Sequence, residues 1–470
     1  MAKDPPSPPR FLGQVLGLVT ATDFAATLSL LVASEPVRKG LHATPSQFIW
    51  ILTAYVASGT AVIPLIERMA RRWHYRSLML VGLLLFLAGA LGAAASHTLA
   101  QAVLARAVQG LGGGGLFTMS RVYLQLAVPT PLRPRCTRDY LVGLFGGTAL
   151  IPWLTAALAE GWGWRMVFLL QGAFALPVLA LTWSHLKAER HTPRSLGVVD
   201  WPMILGFTLG MLLLLQGLES WTLGALDGSH LVLSIVAVAV LAFAARRLHR
   251  DADPLLDMGV LKGRRYLVGL GFYGFYYLIN GASSFLYPKL FRSGMGLSFK
   301  TTGALLSVAA GTTFALIPFL FLVRRFQDRR RVIATGFALA ALALTWMAYQ
   351  AKAGTSYVDL LAPMVLKGIF PLLVVVQVAG LTYHEVPHED FIHAYALKNI
   401  MRQVAGVFSV GLASHGWQAL VADLRGTSTL PMLPVVEQQA ALAAGRSLLF
   451  VLAVLSLLGI PLILKQNRLV

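Results

Sequence analysis

The sequence predicts an all-α polytopic membrane protein of fourteen spans grouped as six, two and six, and three observations carry that reading. Of the 470 residues, 56% are hydrophobic and only 13% charged, with a mean hydropathy of +0.68. Such a chain is too apolar for a soluble multidomain protein. Apolar stretches of about 20 residues, the length that crosses a bilayer core of about 30 Å as a helix, recur along its whole length. The net charge of +19 would point to nucleic acid in a soluble chain. Here the Lys and Arg residues sit in short clusters between apolar runs, the arrangement that orients membrane helices, so the expected partners are a lipid bilayer and a small-molecule substrate, with no nucleic acid.

In chain order, the first six spans fall near 11–33, 48–66, 77–95, 99–121, 140–159 and 164–184. Two more follow at 199–217 and 229–247, and the last six lie near 266–288, 301–323, 331–350, 357–380, 393–414 and 446–464. The first run follows Lys3 and Arg10, but at about 23 residues, with Gln14 and Asp23 inside it, it is too long and polar for a signal core and reads as a retained span. The division this implies is an N-terminal six-helix bundle at 1–185, two extra helices and a cytoplasmic linker at 186–262, and a C-terminal six-helix bundle at 263–470. Alternate loops carry Arg68, Arg71, Arg72 and Arg76; Arg133, Arg135 and Arg138; Lys187, Arg190 and Arg194; Arg246 through Arg265; and Arg324 through Arg331. Those loops should be cytoplasmic, and the even count brings both termini to that side of a plasma (inner) membrane. The basic loops at 67–76 and 324–331 hold equivalent places in the two bundles, as in transporters with a midplane site between two repeats. The single cysteine, Cys136, cannot form an intramolecular disulfide.

The stretch from Leu104 to Gly115 puts Arg106 inside an apolar helix and follows it with glycines. A buried arginine there costs roughly 2.5–3.5 kcal/mol on insertion scales, so it calls for a partner. Gly110 and Gly114 let a neighbouring helix come close enough to carry one. A nucleotide loop is excluded, because no strand pattern precedes the glycines and no Gly-Lys-Ser/Thr follows. Asp23, about twelve residues into the first span, lies about 18 Å from the cytoplasmic face at 1.5 Å per residue. Arg106 enters from the other side and lies about 10 Å from it, so in a core of about 30 Å the two depths coincide. They can be direct partners or face one cavity. The functional reading is a proton site, loaded and released as the cavity opens to each side; the structural alternative is an ion pair that only fixes helix packing.

In the second half the intramembrane polar residues are Lys367, Gln377, Lys398, Asn399, Arg402 and Gln403. Lys398 and Arg402 share a helix face, where like charges repel, so they should point into water or toward an anion. Lys398 can alternatively snorkel to the cytoplasmic surface. Tyr273, Phe275, Tyr276 and Tyr277, followed by Asn280, form either an amphipathic pocket wall or an interface belt. The candidate substrate-binding set is Gln109, Tyr276, Asn280, Lys367, Arg402 and Gln403. Arg106, Lys367 and Arg402 against one clear acid, Asp23, favour an anionic or amphipathic organic solute. His384, His388 and His393 with Glu385, Glu389 and Asp390 read as a solvated loop and not as a metal site. No nucleophile–base pair, metal-ligand spacing or nucleotide loop supports an enzyme.

Four places in the chain resemble the major facilitator superfamily, and within it the fourteen-span drug:proton antiporter branch typified by EmrB and QacA. Asp23 stands where that branch has an acid in its first helix. Trp50-Ile51-Leu52-Thr53-Ala54-Tyr55 is similar to a second-helix W-x-x-T-A-Y signature, and Arg106 through Gly110 to a fourth-helix R-x-x-Q-G motif. Asn399 through Gly411, with Arg402, Gln403, Gly406 and Gly411, resembles a late-helix N-x-x-R-Q-x-x-G pattern. The resemblance implies the major facilitator fold, proton coupling by Asp23 and Arg106, export driven by a proton gradient with no bound cofactor, and a chain able to act as a monomer. In a double-membrane bacterium it also implies a periplasmic adaptor partner. The loop usually reading G-x-L-A-D-R-x-G-R departs from this, with Glu67, Arg71 and His74 at the first Gly, the Asp and the second Gly. The fifth-helix antiporter motif is reduced to Gly147 and Pro152. Gly110, Gly114, Pro152, Glu67 and Arg71 are therefore the expected packing and conformational residues. The departures leave a second function open, a transporter-shaped sensor or scaffold, against which the buried charges Asp23, Arg106 and Arg402 speak.

Overall fold

The computed structural model describes residues 11–188, 201–222, 228–250, 263–320, 328–383, 386–387, 390–426 and 434–466, with 256 and 259. Among the described residues the chain is helical and has no strand. Before residue 186 the main helices are α1 (Leu12–Val32), α2 (Pro45–Val62), α3 (Tyr75–Ala94), α4 (Leu99–Gly113), α5 (Leu116–Ala127), α6 (Arg133–Ala149), α7 (Ile151–Trp162) and α8 (Arg165–His185). A central pair follows, α9 (Trp201–Thr222) and α10 (Gly228–Arg250). The remainder are α11 (Arg264–Lys289), α12 (Phe299–Ala315), α13 (Arg329–Gln350), α14 (Leu361–Leu373), α15 (Val375–Thr382), α16 (Phe391–Gly426) and α17 (Pro434–Leu464).

Local chemistry sets where several of these begin. Thr44 accepts the Gln47 N–H at 3.2 Å while the Gln47 side chain takes the Thr44 N–H at 2.9 Å, and Pro45 opens the helix. This reciprocal cap satisfies two donors that a helix start leaves orphaned, and proline there gives up an N–H that had no partner. Thr98 and Gln101 repeat the device at α4. Asp328 caps α13 by accepting the Arg330 N–H at 3.0 Å.

Ten stretches among the described residues are long and apolar enough to cross a membrane, and shorter apolar helices lie at Ile204–Leu214 and Ile235–Ala244. The protein is a multi-pass membrane protein. Two more of the spans expected from sequence fall outside the ten: α4–α5, interrupted at Gly114 and Gly115, and α11, diluted by tyrosines and Asn280. Proline accompanies the breaks elsewhere: α6 gives way to α7 at Leu150 beside Pro152, and α14 to α15 at Val374, three residues after Pro371. Proline lacks the N–H that would carry a helix through. The last two helices are longer than their apolar cores of 393–414 and 446–464, because polar turns with Asp423, Glu437 and Gln438 extend them past the hydrocarbon thickness.

The helices before residue 186 pack chiefly on one another, as do those after 263, with α1 on α6, α2 on α4, α3 on α4 and α8, α11 on α16, and α13 on α17. Small residues permit the closest approaches. A Cβ at Gly17 would stand 2.2 Å from the Tyr140 carbonyl oxygen, and one at Gly114 would stand 2.2 Å from the Gly59 Cα. The two sets meet where α1 touches α11, α2 and α5 touch α16, and α6 and α7 touch α12. The central helices pair with each other, and α9 also touches α2 and α16. Arg190, Arg194, Lys262, Arg324, Arg325, His384, Glu385, His388 and Glu389 lie outside the described residues.

Candidate functional site

A cavity of about 500 Å³ lies between the two sets of helices, bounded by α1, α2, α5 and α6 on one side and by α11, α14 and α16 on the other. Asp23 is its one carboxylate among the described residues, and it is only 1% exposed. Tyr55 on α2 donates its hydroxyl to Asp23 Oδ1 at 2.6 Å. Arg402 on α16 donates Nη2 to Asp23 Oδ2 at 2.5 Å. An ion pair therefore ties one half of the molecule to the other across the cavity. Arg402 has further acceptors, since Nε and Nη2 reach Asn399 Oδ1 at 3.1 and 2.8 Å. Asn399 in turn donates to the Gly114 carbonyl at 2.8 Å and to Thr118 Oγ1 at 3.0 Å, and Gln403 donates to the same carbonyl at 3.1 Å. The interruption between α4 and α5 thus presents a carbonyl oxygen to side chains of α16.

Arg106 belongs to an adjoining network. Its Nη1 donates to Gln109 Oε1 at 2.6 Å and its Nε to the Ile51 carbonyl at 3.3 Å. Gln109 donates to Gln171 at 2.7 Å, and Gln171 to Ser29 at 2.7 Å. The guanidinium lies 4.2 Å from the Tyr55 ring centre, a favourable cation–π separation. A direct Asp23–Arg106 pair, one of the two arrangements expected, is not what forms: Tyr55 stands between them, its ring under Arg106 and its hydroxyl on Asp23. The depth estimate carried no information on azimuth, and Arg106 points toward α2. Neither Arg106 nor Gln109 is on the cavity wall, so Gln109 is not placed to touch a solute there. Gly110 gives α2 its close approach, since a Cβ there would stand 2.2 Å from the Tyr55 carbonyl oxygen and from Ser58 Oγ.

Of the aromatic cluster, Tyr273, Tyr276 and Tyr277 line the cavity with Asn280, whereas Phe275 packs on Phe337 with ring centres 5.5 Å apart. Tyr276 is held between Tyr277 and Phe370, at 5.0 and 4.8 Å. Lys367 reaches the cavity and donates to Ser283 Oγ at 3.2 Å, its amine 5.1 Å from the Tyr287 ring centre. Lys398 is 1% exposed and points inward, which rules out the snorkelling alternative. Arg121 also lines the cavity, between the rings of Tyr140 and Tyr395 at 4.9 and 5.4 Å, and donates to the Tyr395 hydroxyl at 3.4 Å. Sequence reasoning missed it: Arg121 fell on the last residue of the expected 99–121 span, whereas the helix that carries it runs Leu116–Ala127. Among the described residues the wall carries Arg121, Lys367, Lys398 and Arg402 against Asp23.

Further contacts join the two halves. At the end that holds the 67–76 loop, Glu67 Oε1 accepts from Arg71 at 2.6 Å while Oε2 lies 3.2 Å from His393 Nε2 at the start of α16. Glu67 thus links the 67–76 loop to α16. Between α7 and α12 the Trp153 N–H donates to Ser307 Oγ at 3.0 Å, and Gly303 lies against Pro152, whose carbonyl oxygen would be 2.7 Å from a Cβ there.

Comparison with known proteins gives these features a context. The profile of the Major Facilitator Superfamily matches residues 15–410. The colistin resistance protein EmrB of Acinetobacter baumannii is 24% identical over 429 residues, which are 85% of this chain and 79% of that protein. The multidrug export protein EmrB of Escherichia coli K12 is 22% identical over 405 residues, 82% of this chain and 76% of that one. Among solved structures, an auto-inhibited POT family peptide transporter superposes with a TM-score of 0.63 at 14% identity, over 97% of this chain and 96% of its own, a likeness of fold alone.

Proposed function

The chain belongs to the Major Facilitator Superfamily, and from that premise we propose that this transporter is a proton-coupled exporter of a small organic or amphipathic anionic solute, working by alternating access. The observation that carries the proposal is the Asp23–Arg402 pair. It joins α1 to α16 across the cavity, so protonation of Asp23 removes the charge that holds the halves together at that level. Release of the proton restores it. Proton binding and conformational change are then one event, and Arg106 acts on it through Tyr55. Tyr276, Asn280, Lys367 and Gln403 supply wall contacts for the solute, while Arg402 divides its role between Asp23 and the solute as the cavity opens. The relatives named for colistin resistance and multidrug export support the direction of transport and its class.

Fourteen spans complete the proposal: the ten apolar stretches, α9 and α10, the interrupted α4–α5, and α11. They divide at 1–185, 186–262 and 263–470, with both termini cytoplasmic in a plasma (inner) membrane. The basic 67–76 loop marks the cytoplasmic end of the cavity, and in a double-membrane bacterium a periplasmic adaptor would meet the other end. Proteoliposomes loaded with candidate organic anions, with and without an imposed pH gradient, test the function. Gradient-dependent flux supports it. The alternative of a non-transporting sensor or scaffold draws on the altered loop and fifth-helix motifs, and it would be favoured by binding without flux under any gradient.

A further inference from the structure

The cations of the cavity are not equivalent, and their bonding separates them. Arg402 donates to Asp23 and Asn399, and Lys367 to the Ser283 hydroxyl. Lys398 has nothing of the kind: its amine is buried and, among the described residues, has no hydrogen-bond partner. It rests instead between the rings of Tyr273 and Tyr383, at 4.3 and 4.7 Å from their centres. The Tyr383 hydroxyl is a second buried group on the same wall without a partner among the described residues. The Tyr383 ring packs on that of Tyr395 at 4.2 Å, and on the far side of that stack lies Arg121. No carboxylate lines this part of the wall among the described residues.

Burying an ammonium without an acceptor is costly, and burying it beside a second cation more so. Two orphaned donors and a guanidinium around one aromatic stack make a site that lacks only an anion. We propose that Lys398, with Tyr383 beside it and Arg121 beyond the Tyr395 ring, binds the anionic group of an aryl carboxylate or sulfonate while Arg402 is paired with Asp23. Elsewhere in the same cavity the ligand's ring has Leu144 and the rings of Phe24 and Phe117, whose centres lie 4.5 and 5.6 Å from the Arg402 guanidinium. Whether the amine arrives charged or takes a proton from water as the anion binds, the bound pair is ammonium and anion. The subsite rests on the transporter reading only for the movement of the bound anion across the membrane.

The test uses three probes of one shape and different charge, naphthalene-1-sulfonate, naphthalene-1-sulfonamide and naphthyl-1-trimethylammonium, titrated calorimetrically into the purified full-length protein in nanodiscs. The intact protein should bind the sulfonate at least tenfold more tightly than the sulfonamide, and the cation most weakly. Lys398→Gln should remove that preference while leaving sulfonamide affinity within about twofold, Lys398→Arg should keep most of it, and Lys367→Gln should reduce it by less than Lys398→Gln does. The sulfonamide signal reports that each variant is folded. Equal affinity of the intact protein for sulfonate and sulfonamide would overturn the assignment, as would a preference that survives Lys398→Gln or is lost only in Lys367→Gln. Failure of transport is a separate result: a Lys398-dependent preference without flux in proteoliposomes keeps the subsite and removes the transporter reading, and flux with an indifferent Lys398 does the reverse.

Discussion

Asp23 has two direct partners, and they make separable contributions. Arg402 supplies the countercharge from the opposite half, and Tyr55 supplies a hydroxyl from a neighbouring helix while its ring carries Arg106. Tyr55→Phe deletes only the hydroxyl. Hydrogen bonds to charged groups contribute about 1.5–3 kcal/mol net, so this variant should keep its fold and the Arg106 contact yet shift the pH profile of transport. Flux measured across a pH series in proteoliposomes checks it; an unchanged profile would remove Tyr55 from the coupling. The sequence made the carboxylate legible, because an acid twelve residues into an apolar span stands out, and it made Arg106 legible for the same reason. It held no sign of Tyr55 as the bridge, since a tyrosine in a membrane helix is common. Which way Arg402 turned depended on contacts between residues 379 positions apart, beyond any local pattern.

At the scale of the elements, the glycines of α4 and α16 look alike in sequence and differ in space. Gly114 touches the backbone of Gly59, and its carbonyl receives Asn399 and Gln403, so its helix can move away only by breaking contacts with α2 and α16. Gly411, in the late-helix pattern that resembled a family motif, has nothing within 4 Å of where a Cβ would stand. Gly114→Ala should therefore lower the thermal unfolding midpoint and the folded yield. Gly411→Ala should leave both unchanged or raise stability by about 0.5–1 kcal/mol, the ordinary helix preference for alanine. Thermal unfolding of the two variants in the same detergent compares them directly. Among the described residues, ten of the fourteen spans expected from hydropathy are met by helices long and apolar enough to cross, because the bilayer sets one length, but the breaks at Gly114, Leu150 and Val374 do not change the apolar sum and so left no trace in it. The same blindness to helix ends hid Arg121 and shortened α16 and α17.

Across the whole molecule, the cavity lies between two halves that also meet through Trp153 and Ser307 and through Glu67 and His393. The Lys and Arg loops predict that both termini are cytoplasmic, so reporter fusions at the C-terminus and after residue 222 should read as expected for fourteen spans, the first cytoplasmic and the second external. An external C-terminus would break the six, two and six count. The measurement that bears most directly on proton coupling is solute flux by Asp23→Asn in proteoliposomes, compared with the intact protein under an imposed pH gradient and under solute exchange without one. Asparagine imitates the protonated carboxyl, so the variant should lose gradient-driven transport and retain exchange. Uphill transport by Asp23→Asn with an unchanged pH dependence would make the Asp23–Arg402 pair a structural clasp and send the proton by another route.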